Sequence, residues 1–116
     1  MNAMKNNVFS IHKTSLFVGQ VRSYITYYKQ NAGNKIAEKF YLSLEDALGF
    51  ISKNPYACPI YDLEEFDDLR ERKFRKWNLS GFPHIILFRI MDKNIIKIDA
   101  IYAHKMNLSS RTKKDI

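Results

Sequence analysis

One cysteine, Cys58, is all the sequence contains, so no disulfide framework can form within the chain and a four-ligand zinc cluster has no cysteine set to draw on. Three prolines and four glycines in 116 residues are too few for a fibre or a disordered, low-complexity chain. No repeat or linker interrupts it. No apolar run approaches the roughly 18 residues that a membrane helix needs. The opening Met1-Asn2-Ala3-Met4-Lys5-Asn6-Asn7 lacks the apolar segment of a signal peptide. The expectation is a soluble protein of the reducing cytoplasm, away from membranes.

What is present is the composition of a packed globule: 46% apolar, 14% aromatic and 27% charged residues. At this length it predicts one domain over 1–116, with an ordered core at about 8–108 and a flexible basic tail, 109–116, in which nothing argues for packing. Nineteen Lys and Arg against twelve Asp and Glu give a net charge of +7, which points to a polyanion or an acidic protein as partner. Glu64, Glu65, Asp67 and Asp68 crowd four of the twelve acidic residues into one short stretch, read as a solvated loop or short helix. The rest of the chain is correspondingly more basic.

The periodicities predict a β-α-α-β-β-β order. Val8 to His12 is β-prone and ends at Thr14 and Ser15, either of which can cap a helix. Phe17, Val18, Val21, Tyr24, Ile25 and Tyr28 form a helical stripe to about Gln30. Gly33 suits the helix stop and Asn34 the next N-cap, before a second stripe through Ile36, Ala37, Phe40, Leu44, Ala47, Leu48 and Ile51. In Arg72 to Leu79, basic and aromatic residues interleave. As a strand, that stretch places Arg72, Phe74 and Lys76 on one face and Lys73, Arg75, Trp77 and Leu79 on the other. After a Ser80-Gly81 turn, His84 to Met91 is apolar on both faces and therefore central in its sheet. A turn at Asp92-Lys93-Asn94 leads to Ile95 through Tyr102, with Ile96, Ile98, Ala100 and Tyr102 expected on one face and Lys97 and Asp99 on the other.

This order resembles the RelE/ParE superfamily of type II toxin–antitoxin toxins, also called plasmid-stabilisation proteins. The resemblance is carried by Tyr27-Tyr28 and Ala37-Glu38-Lys39-Phe40 in the helical hairpin, then by Phe74-Arg75-Lys76-Trp77, Gly81-Phe82-Pro83 and Ile86-Leu87-Phe88-Arg89-Ile90. It continues in Ile96-Lys97-Ile98-Asp99-Ala100-Ile101-Tyr102-Ala103-His104 and spans roughly Val8 to Leu108. It implies an α+β fold, a helical hairpin on a small, mainly antiparallel sheet. It also implies growth inhibition, a cognate acidic antitoxin as partner, and no cofactor. A homodimer or a toxin–antitoxin hetero-oligomer would follow from the same family.

Two targets stay open. A ParE-like member blocks DNA gyrase through protein contacts and needs no catalytic residues. A RelE-like member cuts mRNA on the ribosome as a metal-independent endoribonuclease, which requires a proton acceptor, a proton donor and fixed cations around the phosphorane. For that chemistry the catalytic candidates are Lys73, Arg75, Arg89 and His104. Candidates for contact with target or antitoxin are Arg72, Lys76, Trp77, Tyr102 and Lys105. Two departures weigh against cleavage. Ile85 stands where RNA-cleaving members carry a basic residue, and Met106 or Asn107 stands where a terminal Arg is expected. An inactive or non-catalytic nucleic-acid- or protein-binding relative is a further alternative.

Each residue also has a plainer role. Arg72, Lys73, Arg75 and Lys76 suit a solvated edge that discourages strand pairing. Trp77 suits packing more than base stacking, and Arg89 suits a pair with Asp99 across the last hairpin. His12 and His84 lack companion ligands, and no metal site is expected. Cys58 has no base beside it and reads as inert.

Overall fold

In the computed structural model, residues 8–61, 71–103 and 108–116 are described. Their elements run β1 (Ser10–Lys13), α1 (Ser15–Asn31), α2 (Asn34–Lys53), a 3-10 turn (Pro55–Ala57), β2 (Arg75–Asn78), β3 (His84–Met91), β4 (Ile95–Ala103) and α3 (Leu108–Asp115). The four strands form one sheet in the order β1-β4-β3-β2, parallel between β1 and β4 and antiparallel elsewhere. β3 lies inside the sheet, as its two apolar faces require.

β1 begins two residues later than Val8 and includes Lys13. Thr14 explains where it stops. Its N–H donates to the Ile98 carbonyl, extending the pairing with β4, while its Oγ1 accepts from the Phe17 N–H at 3.0 Å and caps α1. Gly33 ends α1, and at φ 95° it takes the left-handed conformation that a residue without Cβ adopts freely, its N–H donating to the Tyr28 carbonyl. The expected N-cap shifts by one residue. Gly33 is the N-cap of α2, directly after Ala32, the C-cap of α1, and Asn34 is already helical, so the start of α2 has no side-chain cap.

The core lies between the helical hairpin and one sheet face. Phe17, Phe40, Leu44, Leu48 and Ile51 pack there against Ile86, Phe88, Ile96, Ile98 and Ile101. A smaller cluster occupies the other face: Phe74, Ile85, Leu87, Ala100 and Tyr102, with Leu16, Tyr61 and Ile116 against it. The strict alternation expected of β4 fails at one point. Leu87 faces Ala100 but Phe88 faces Ile98, so Asp99 is an extra residue, a β-bulge. It moves Ala100 and Tyr102 to the face opposite Ile96 and Ile98, and Ile101 joins the core in their place. The backbone groups it frees from the ladder are taken by α1: Thr14 Oγ1 donates to the Asp99 carbonyl at 2.9 Å and Gln20 Oε1 accepts from the Ile101 N–H at 2.8 Å.

Two further expectations change. The basic-aromatic strand is shorter than Arg72 to Leu79, since Lys73 sits at φ 56° and pairing begins at Arg75. The C-terminal tail is not an unpacked segment. Residues 108–115 are helical, Thr112 is fully buried and Ile116 packs in the second cluster. Hydropathy missed this because the helix is mostly polar and is held through Thr112, Asp115 and, just past its end, Ile116. The acidic run at 64–68 lies outside the described residues.

Candidate functional site

Register fixes which candidate side chains share a face. Arg75 is opposite Phe88 and Trp77 opposite Ile86, on the helix side. Lys76 is opposite Leu87 and Arg89 opposite Lys97, on the other side. The period-two reading of this strand therefore holds for Phe74 and Lys76 against Arg75, Trp77 and Leu79. It also separates two of the four catalytic candidates by the thickness of the sheet.

Three of the strand cations have a local engagement. Arg75 donates from a terminal guanidinium nitrogen to the Cys58 carbonyl at 2.7 Å, and its guanidinium lies 5.3 Å from the centre of the Tyr56 ring. Arg89 makes a two-pronged pair with Asp99 at 3.0 and 2.9 Å and lies 5.3 Å from the Phe74 ring centre. The cross-hairpin pair expected from sequence is thus formed. Lys76 places its ammonium 5.7 Å from the Tyr61 ring centre. Lys73 is exposed, ahead of β2. His104 and Lys105 lie outside the described residues.

On the face away from the hairpin, Arg72, Arg89 and Lys97 line a cavity of about 320 Å³ with Thr14, Ser15 and Asp115. Beside it a larger cavity, about 570 Å³, runs between α1 and α3, lined by Gly19, Gln20, Ser23, Tyr24, Tyr102 and Arg111 among others. Tyr102 is 1% exposed and donates its hydroxyl to Asp115 Oδ2 at 2.9 Å. Burial first, then the Asp115 carboxylate, pushes its phenol well above the ordinary tyrosine range. Burial raises Tyr24 as well, against an Ala103 backbone hydrogen bond that acts the other way. Both phenols stay protonated at pH 7. The contact expected of Tyr102 is accordingly limited to what its cavity admits.

Trp77 is half-buried and stacked on Phe50, ring centres 4.3 Å apart and planes at 9°. One of its faces is used by the protein itself. Cys58 is buried, and burial raises its thiol to about 11 against a smaller opposing effect of Arg75. Among the described residues, no three His, Cys, Asp or Glu side chains come together as a metal-binding group, and no helix is long and apolar enough to cross a membrane. Sequence reading passed over Tyr56, Phe50 and Arg111. Their only signal was an exposed aromatic after a proline, a helix position like its neighbours, and a cation in a polar tail.

A helical hairpin on a bulged four-stranded sheet, with cations on its strands, defines the RelE/ParE-like toxin fold. A chain described as "Chromosomal ParDE TA system from P. aeruginosa" shares it with a TM-score of 0.65 at 15% identity, over 84% of this chain and 98% of that one. The family described as the ParE toxin of the type II toxin–antitoxin system, parDE, matches residues 11–108. The chain belongs to the ParE toxin family. No curated protein matches it in sequence.

Proposed function

We propose that this protein is the toxin of a type II pair, that it inhibits growth by blocking DNA gyrase through protein contacts, and that a cognate acidic antitoxin restrains it. Membership of the ParE family supports the toxin role. The observation that favours gyrase over RNA cleavage is the Arg89–Asp99 pair. A guanidinium held by two hydrogen bonds to its own carboxylate has its charge largely neutralised and is poorly placed to meet charge growing on a phosphorane. Arg75 lies across the sheet from it, so the two cannot grip one phosphate. Blocking an enzyme by contact needs only a surface, and this chain has cations and aromatics on both faces.

The test is to induce the chain in a bacterial host without its neighbouring gene and follow labelled thymidine and methionine incorporation over the first minutes. Thymidine incorporation is expected to fall first. An earlier fall in methionine, with cleaved transcripts, would replace gyrase by mRNA, and no change in either would reject the toxin reading. Co-expression of the neighbouring antitoxin gene is expected to restore growth.

A further inference from the structure

On the helix side of β2 a row of large side chains runs from Phe9 through Tyr56 and Arg75 to Trp77 and Phe50. Its contacts are an edge-on Phe9–Tyr56 pair at 6.2 Å, Arg75 over the Tyr56 ring, and the Trp77–Phe50 stack. The row rises out of the core: Phe9, Phe50, Arg75 and Trp77 are half-buried, whereas Tyr56 is 68% exposed and the adjoining Ile60 53%. Yet it is held still. Pro55 opens the 3-10 turn that carries Tyr56, Cys58 closes that turn through its N–H to the Pro55 carbonyl, and Arg75 is pinned by the Cys58 carbonyl. Accessible Tyr, Trp and Arg side chains already held in place, one exposed and two half-buried here, are what a protein interface uses for its strongest contacts, because little rotamer freedom is left to lose on binding.

Clefts flank the row. One of about 370 Å³ includes Phe9, Lys53 and Tyr56 in its lining, and one of about 190 Å³ is lined by Pro59, Lys76, Trp77 and Asn78. Lys53 and Arg75 supply two positive charges on this side, and among the described residues neither is in an ion pair. An occupant that matches this surface carries carboxylates for the cations and apolar side chains for the clefts.

We propose that this row is the docking surface for the acidic antitoxin, with its carboxylates on Lys53 and Arg75 and its apolar anchors beside Tyr56 and Trp77. The inference rests on the toxin–antitoxin reading above. Trp77 is the sole tryptophan of the chain, so 5-fluorotryptophan labelling gives one resonance from the protein at the proposed surface.

The experiment titrates the labelled full chain with the antitoxin encoded by the neighbouring gene, reading affinity by calorimetry and position by the Trp77 fluorine signal. Tyr56→Ala and Lys53→Glu alter exposed side chains, and thermal melts confirm that both variants fold. Each is expected to weaken binding by about tenfold or more. Tyr27→Ala, on exposed α1, is expected to leave it unchanged, and the wild-type fluorine signal is expected to shift on binding. Tight binding by wild type with no loss in either variant and no fluorine shift overturns the docking surface and leaves the toxin–antitoxin reading standing. Absence of binding by wild type overturns both.

Discussion

Arg89 and Asp99 decide more than their own positions. The carboxylate is 3% exposed and the guanidinium 18%, so each depends on the other for the hydrogen bonds it would have had in water. Asp99→Ala leaves a mostly buried cation without its partner. A loss of about 3 kcal/mol is expected, at the low end for buried pairs because Arg89 keeps some access to water. Urea unfolding of Asp99→Ala, Arg89→Met and the double variant measures it. The double variant is expected to lose less than the sum of the singles, and a coupling under about 0.5 kcal/mol would mean that solvent screens the pair.

At the scale of elements, the bulge in β4 and the helix α3 belong together. The bulge turns Tyr102 onto the face where α3 lies, and the Tyr102–Asp115 hydrogen bond ties the helix to the sheet. An eight-residue helix is too short to persist on propensity alone, so its docking contacts sustain it. Tyr102→Phe removes a hydrogen bond to a charged acceptor, worth about 1.5–3 kcal/mol. Faster amide exchange is expected across Lys113 to Ile116, by about tenfold or more, with β3 and β4 unchanged. Equal loss of protection in the strands would show that α3 and the sheet unfold as one unit.

For the whole molecule, buried acids set the response to alkali. Cys58 is raised from an ordinary 9.0 to about 11, and Tyr24 and Tyr102 are raised too, so the folded chain keeps protons that the unfolded chain has released. When the native state binds more protons, stability falls as pH rises. Their contribution is therefore complete below pH 9 and is lost progressively above it, for Cys58 through about pH 11. Urea midpoints at pH 8, 9.5 and 10.5 are expected to fall in order. Cys58→Ala is expected to flatten the part between pH 9 and 10.5, and an unchanged slope would remove the thiol from this account.

The sequence by itself determined the element order from β1 to β4, the helical hairpin, the interior place of β3 and the Arg89–Asp99 pair, because each follows from local periodicity or from residues brought close across a short turn. Gly33 and Gly81 marked their turns since both positions require positive φ. What only the tertiary structure decided depends on contacts distant in the chain. The bulge at Asp99 is stabilised by Thr14 and Gln20, more than seventy-five residues away, and no alternation rule within β4 anticipates it. The packing of α3 rests on Tyr102 and the second cluster, so a polar segment looked unpacked when read alone. Arg75 and Arg89 are both strand cations in the sequence. The sheet sets them on opposite faces, because pairing register, which local sequence leaves open, fixes the side to which each points.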